Sequence, residues 1–536
     1  MKIQGAELNA VERAAVAAFL STKSVSPATQ PRSGFCASNE GKLDASAAQW
    51  NGWGVDRGVD LANSRFQPLT SAALKAEQVP ALKLKWAFGF PNATSVFGQP
   101  TIAGGRLFLG SGDGTVYSLD AHSGCIYWTF KASSTVRTAV SIDPALKSIY
   151  FGDVQANVYR LGAASGELLW KVHVEEHPLA RITGAPKLYA GRLYVPVSSG
   201  VEEMAAANPK YPCCTFRGSV VALDAETGKQ LWKTYTIPHP AKPTRVNQAG
   251  TQLMGPAGAA VWSSPTIDVE RKAVYVATGN SYADPPVAYN DAILSFDLET
   301  GSMQWARQIT QHDTWNAACL SPNKASCPEN PGEDLDFGCS PILVKLSGGH
   351  RLLLAGQKAG VMHALDPDQQ GKILWQVRLG KGGLLGGIEW GSAADGQAVY
   401  AAISDLDSAN PAAGGGLFAL QIATGAKIWY APPPKPTCLG RAGCSAAQQA
   451  PVTVIPGVVF SGSMDGHLRA YQTSEGNLLW DFDVLRDFET VNGVPARGGS
   501  LNATGPTVAG GMLFLGAGYS QLVGLPGNVL LAFAAE

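Results

Sequence analysis

Apolar residues alternate with polar ones in short runs along most of the chain, broken by glycine-bearing turns, and one such unit recurs. Its fullest copy is Val221-Ala-Leu-Asp-Ala-Glu-Thr-Gly-Lys-Gln-Leu-Trp232, a strand ending in Asp, a turn with Gly, and a second strand carrying Trp four residues after that Gly. The frame returns at Gly124/Trp128, Gly166/Trp170, Gly301/Trp305, Gly371/Trp375, Gly425/Trp429 and Gly476/Trp480, seven copies in all. Each copy reads as a hairpin in which Gly supplies the positive φ of the turn. Such repeats predict a β-propeller, whose blades of about four strands surround an axis. Trp86 sits in a strand at 82–86 without the preceding turn, and the chain ends in a strand at 528–533 with no Trp after it. Together they complete an eighth blade and leave no sheet edge open. The expected fold is therefore all-β, an eight-bladed propeller closed by pairing of its N- and C-terminal strands. The repeated Trp reads as packing between neighbouring blades.

A closed propeller absorbs most of the 536 residues as one unit, where length alone would suggest several domains. Gly 61 and Pro 34 with only 15% charged residues suit a turn-rich β chain. A net charge of −1 gives no electrostatic reason for a nucleic-acid or anionic-membrane partner. No apolar run approaches the ~20 residues that span a bilayer. Residues 1–30 stand apart from the propeller of 31–536: a short amphipathic helix at 9–20, then a linker rich in Ser, Thr and Pro. The apolar stretch at 14–20 follows Glu7 and Glu12 and makes a poor secretory core.

Nine cysteines, several closely spaced in loops, favour an oxidising compartment. Cys319/Cys327 and Cys438/Cys444 read as local staples, Cys213 and Cys214 are adjacent, and the odd total leaves a thiol over. No CxxC occurs, which argues against a zinc site.

Spacing between repeats widens after Trp170, through insertions at 203–216, 239–258, 281–290 and 319–336. Extra length in a repeat goes to loops on one face, so these should form a wall over one end of the axis. Strand ends within the enlarged blades carry Glu202, Asn280 and Lys358, and the run Gln311-His-Asp-Thr-Trp-Asn316. Glu202 and Asn280 offer hard oxygens of the kind that suit Ca²⁺. Taken singly, each also reads as a turn or rim residue.

These repeats and residues resemble the pyrroloquinoline quinone (PQQ)-dependent alcohol dehydrogenases, and within them the branch acting on polyvinyl alcohol, from about Trp50 to the C-terminus. Val261-Trp-Ser-Ser-Pro-Thr-Ile-Asp268 through Tyr275-Val-Ala-Thr-Gly-Asn280 is the most specific stretch. The resemblance implies that Trp262 stacks on the quinone, Asn280 and Glu202 hold a divalent metal, Lys358 meets the quinone oxygens, and Arg137 and Thr183 add cofactor contacts. A planar trianionic quinone needs an aromatic face, a cation and a cationic donor, and these residues supply them.

The chain departs from the family at the catalytic base, since its His312-Asp-Thr-Trp-Asn316 ends in an amide where the family has Asp. Asp334 or Asp336, in Glu333-Asp-Leu-Asp-Phe-Gly338, is expected to fill that place, and turn capping is the alternative reading. Cys213 and Cys214 either reach the quinone from another direction than the family's vicinal disulfide or stiffen their own loop. The resemblance further implies a periplasmic enzyme that oxidises secondary alcohols to ketones and passes electrons to a separate cytochrome c. It also makes residues 1–30 the remnant of a cytochrome c-like domain. A non-enzymatic propeller scaffold and a degenerate PQQ-binding protein are the alternatives.

Overall fold

The structure, a computed structural model, describes residues 34–37, 43–55, 61–521 and 523–535. The expected N-terminal helix and linker lie outside them. Eight four-stranded sheets follow one another along the described chain. The first seven begin with the strands Thr101–Ala103, Ser141–Ile142, Lys187–Tyr189, Thr266–Asp268, Ile342–Lys345, Ala393–Ala394 and Thr453–Ile455. In the eighth, Thr507–Ala509, Met512–Ala517 and Val529–Ala535 are completed by Leu82–Gly89, with Leu82 opposite Ala535 and Gly89 opposite Val529. The ring closes as the sequence predicts.

Inner strands such as Arg106–Gly110 are buried along their whole length, because both faces pack on neighbouring blades. Outer strands such as Leu168–His173 have no buried position. The repeated Trp and Gly explain how one blade meets the next. The Trp86, Trp128, Trp170, Trp375 and Trp429 indole N–H groups donate to a carbonyl of the following blade at 2.7–3.2 Å. Onto the same indoles, the following blade sets its turn Gly: a Cβ on Gly124, Gly166, Gly228, Gly425 or Gly476 would lie 2.6–3.0 Å from the ring of the preceding Trp. These glycines also have φ of +73° to +75°, so the residue type is fixed twice, by backbone and by space.

The entry segment plugs one end of the axis. Arg65 is fully buried, stacks on Trp53, and donates to Val452 O at 2.6 Å, Gln99 Oε1 at 2.6 Å and Thr453 Oγ1 at 2.9 Å, tying the seventh blade to the first. Burial pulls its pKa down to about 9. Asn63 donates to Pro265 O and Thr266 Oγ1 of the fourth blade at 2.9 and 2.8 Å.

The inserted loops pack on one another. Asn247 donates to Pro209 O and Ser326 Oγ, Arg245 to Cys327 O, and Glu329 N–H to Asp284 Oδ2. Disulfides Cys319–Cys327 and Cys438–Cys444 form as the spacing suggests, and Cys213–Cys214 is bonded too. Cys36–Cys125, which the sequence did not reveal, ties the entry segment to the first blade, leaving Cys339 as the buried free thiol.

Candidate active site

Two acids and a lysine sit where the inserted loop of the fourth blade meets the fifth. Lys358 follows the Arg351–Gln357 strand and is only 5% exposed. Its Nζ donates to Asp334 Oδ1 at 2.9 Å and Asp336 Oδ2 at 3.2 Å, and its N–H to Asp336 O at 3.0 Å. Burial opposes the ammonium, but Asp334, Asp336, Glu389 and Glu203 together outweigh it and hold the Lys358 pKa well above the ordinary value. The same burial pushes Asp334 up, against the pull of Lys358. The second oxygen of Asp336 accepts from Asn280 N–H at 2.5 Å. Gly279 allows that approach, since a Cβ there would lie 2.9 Å from Asp336 Oδ1.

Trp262 stands beside this group, with Lys358 Nζ 5.7 Å from its ring centroid. Trp390 packs edge-on against it at 5.3 Å and is fixed by a 2.6 Å bond from its indole N–H to Asn502 Oδ1. Gly338 passes so close that a Cβ would lie 2.2 Å from the Trp262 ring. Thr183 Oγ1 donates to Trp262 O at 3.3 Å, holding the indole's backbone. Trp262, Trp390, Thr183 and Arg137 line one cleft. There the Arg137 guanidinium lies over Phe97 and Trp390, at 5.3 and 5.5 Å, and burial lowers its pKa.

Lys358, Asp334, Asp336, Asn280, Trp262, Thr183 and Arg137 are thus brought together. Glu202 is not. The helix Gly200–Ala205 is capped by Ser199 and turns the Glu202 carboxylate into its own loop, where it accepts from Thr215 N–H and Phe216 N–H at 2.8 Å and Tyr211 OH at 3.0 Å. Its neighbour Glu203 faces the site instead. Burial and the charges of Asp334 and Asp336 push its pKa well up, and its Oε1 is buried without a hydrogen-bond donor. Asn280 Oδ1 is likewise buried without a donor, while its Nδ2 is spent on Trp315 O at 2.9 Å. Adjacent residues on a helix point about 100° apart, so motif spacing alone does not say which of two neighbouring glutamates faces the cleft.

Asn316 and the cysteine pair belong to the loops around the cleft. Asn316 Nδ2 donates to Tyr282 O at 2.8 Å and Ser326 O at 3.1 Å, and its Oδ1 caps the short helix Ala317–Leu320 through Ala318 N–H at 3.0 Å. Cys213 and Cys214 pair through their backbone with Met254 at 2.8 and 2.9 Å and are buried against Phe216 and Tyr282. Trp262 packs on the margin of the same cluster.

Residues 50–323 match the family model of the glucose/ethanol/alcohol dehydrogenase PQQ β-propeller domain, and 413–535 that of the outer membrane protein assembly factor BamB. A polyvinylalcohol dehydrogenase of a Pseudomonas species is 43% identical over 91% of this chain and 77% of its own. That of Sphingopyxis sp. (strain 113P3) is 40% identical over 94% and 79%. The chain belongs to the PQQ-dependent alcohol dehydrogenases. Among solved structures, the quinohemoprotein alcohol dehydrogenase of Comamonas testosteroni superposes with a TM-score of 0.64 at 18% identity, covering 91% of this chain and 80% of that one. A europium-containing methanol dehydrogenase gives 0.65 at 17% identity, covering 91% and 98%. These confirm the propeller. The scaffold reading is set aside: the enzyme relatives match nearly the whole chain.

The sequence offered no motif for Glu203, Trp390 or Glu389. Glu389 is buried, its Oε2 has no donor, and burial pushes its pKa up to about 7 against the pull of Lys358. Its carbonyl lies against Gly338, 2.3 Å from where a Cβ would stand.

Proposed function

We propose that this enzyme oxidises secondary alcohols, the hydroxyls of polyvinyl alcohol among them, to ketones with bound PQQ and calcium. The observation that carries the reading is the buried Asp334–Lys358–Asp336 group beside the face of Trp262. The lining of the cleft suits a flat anionic ring in its chemistry: it offers the indoles of Trp53, Trp262 and Trp390, and in Arg137 a half-buried guanidinium that bonds no carboxylate among the described residues. For the cation, the support is a pair of oxygens beside the acids. Asn280 Oδ1 and Glu203 Oε1 are buried oxygens without donors, and a divalent ion there offsets a carboxylate excess that Lys358 alone does not balance. The metal carboxylate is accordingly Glu203 rather than Glu202.

When bound, PQQ supplies the electrophilic carbonyl carbon that accepts hydride from the carbinol. The protein's part is to receive the hydroxyl proton on the Asp334/Asp336 pair, with Lys358 holding both carboxylates at one point. Trp262 and Trp390 orient the ring and exclude water from its face. Electrons leave to a separate cytochrome c in the periplasm, a compartment in keeping with four disulfides among the described residues.

Titrating the apo-protein with PQQ, with and without Ca²⁺, tests this through Trp fluorescence and dye reduction by a secondary alcohol. Metal-dependent quenching with turnover is expected. Asp336→Asn and Asp334→Asn should each lower kcat, the true base by at least about 10²-fold. Absence of binding in the presence of Ca²⁺, or full turnover in both variants, overturns the reading.

A further inference from the structure

Asp334 and Asp336 lie in a loop without regular structure, on a segment from 321 to 341 that no strand or helix holds. Asp334 itself has φ of +60°, a left-handed conformation that Asp enters more readily than most residues but that still costs free energy its contacts must supply. Asp313 makes such contacts. This residue is 2% exposed, and its two carboxylate oxygens are both used on that loop: Oδ1 accepts from Asp334 N–H at 3.0 Å and Oδ2 from Leu335 N–H at 2.6 Å. The loop is drawn close, since Gly332 leaves only 1.9 Å between a would-be Cβ and Asp313 Oδ1, and Gly332 N–H donates to Thr314 O at 2.9 Å. Asp313 is fixed in turn from behind, where its carbonyl accepts from Ser281 N–H at 3.0 Å and Asn290 Nδ2 at 3.1 Å.

We propose that Asp313 is a positioning residue that clamps the backbone of Asp334 and Leu335, and so sets both carboxylates of the acid pair against Lys358. The inference rests on the reading that this pair receives the substrate proton. It also gives a role to the second residue of His312-Asp-Thr-Trp-Asn316. The run whose last position carries no acid holds in place the loop that brings the acids. An amide at 313 keeps one acceptor and loses the other, whereas a methyl group loses both.

The experiment has two independent readouts. Hydrogen exchange of the full-length protein, followed by mass spectrometry on peptides covering 332–337, reports the clamp whether or not PQQ is bound. In Asp313→Ala, exchange at 334 and 335 should accelerate by at least roughly tenfold, with protection of the Arg351–Gln357 strand unchanged as proof of an intact propeller. Asp313→Asn should fall between. Steady-state kinetics of the PQQ- and Ca²⁺-loaded protein should then show kcat falling by about 10²-fold in Asp313→Ala with KM within about threefold, the mark of misplaced reacting groups. Unchanged exchange at 334 and 335, or normal kcat in an Asp313→Ala protein whose loop exchanges fast, overturns the proposal. Failure of the wild-type protein to turn over would overturn the functional reading instead, and the exchange result would still decide the clamp.

Discussion

Asn316 stands where an acid would be expected from the family pattern, and both atoms of its amide are in use: Nδ2 donates to Tyr282 O and Ser326 O and lies 3.9 Å from Cys213 Sγ, and Oδ1 accepts from Ala318 N–H. A carboxylate cannot donate, so Asn316→Asp would face the carbonyls of Tyr282 and Ser326 with like partial charge. We expect it to lose about 1–3 kcal/mol of stability in urea unfolding and to gain no turnover. Glu389 couples stability to pH. Its folded pKa, about 7, lies above the ordinary glutamate value, so the folded state holds the proton more tightly. That stability is fully present below the unfolded pKa and is lost as pH rises through about 7. Unfolding free energies of the wild-type protein should fall between pH 5 and 8 relative to Glu389→Gln, by an amount on the order of 3 kcal/mol. Parallel pH profiles would show that Glu389 is not the group concerned. Neither residue was legible as it acts. An amide in a turn and a glutamate before a tryptophan are ordinary in sequence, and only the burial around them makes them chemical.

The element that repeats is the Gly-turn with its Trp strand, and its two halves serve different blades. Each Gly seats on the Trp of the blade before it, which is why the pair keeps one spacing while the loops between pairs vary. Gly301 has φ of +72°, and a Cβ would lie 2.5 Å from the Trp232 ring; Gly191 has φ of +75° with nothing within 4 Å. Gly301→Ala should therefore cost the backbone strain and the clash, about 2–4 kcal/mol together, whereas Gly191→Ala should cost the strain alone, about 1–2 kcal/mol. Urea midpoints of the two variants compare them directly. Equal costs would mean that the turn conformation, not the seat on Trp232, selects glycine. Elements that do not repeat were harder to read. The helix Gly200–Ala205 appears in sequence only as Ser-Gly-Val-Glu-Glu, and its phase decides which glutamate faces the cleft.

At the scale of the molecule, the ring is held shut by one composite blade in which Leu82–Gly89 pairs with Val529–Ala535. Removing residues 529–536 would expose the edges of Leu82–Gly89 and Met512–Ala517. We expect such a chain to aggregate on refolding, and size-exclusion chromatography to show little monomer. The Cys36–Cys125 bond joins residues 89 positions apart, and by loop-closure entropy its loss would cost up to about 4 kcal/mol. Reductive unfolding of the wild-type protein compared with Cys125→Ser would measure it.

The fold was set by features that repeat. Seven Gly/Trp pairs and two incomplete ends give the blade number, the closure and the inter-blade contacts without reference to tertiary structure, because each blade must present the same surface to the next. The site is different in kind. It draws Trp262, Asn280, Asp334, Asp336, Lys358 and Glu389 from places far apart in the chain; Trp262, Asn280 and Lys358 the sequence names through resemblance, Asp334 and Asp336 through the acid missing at Asn316, and Glu389 not at all. The turn of the Glu202 carboxylate into its own loop, the use of Asn316 as an anchor, and the hydrogen bonds of Asp313 to the acid loop came from the structure alone. Each depends on the direction of a side chain within a loop that occurs once, and no repeat or spacing records that direction.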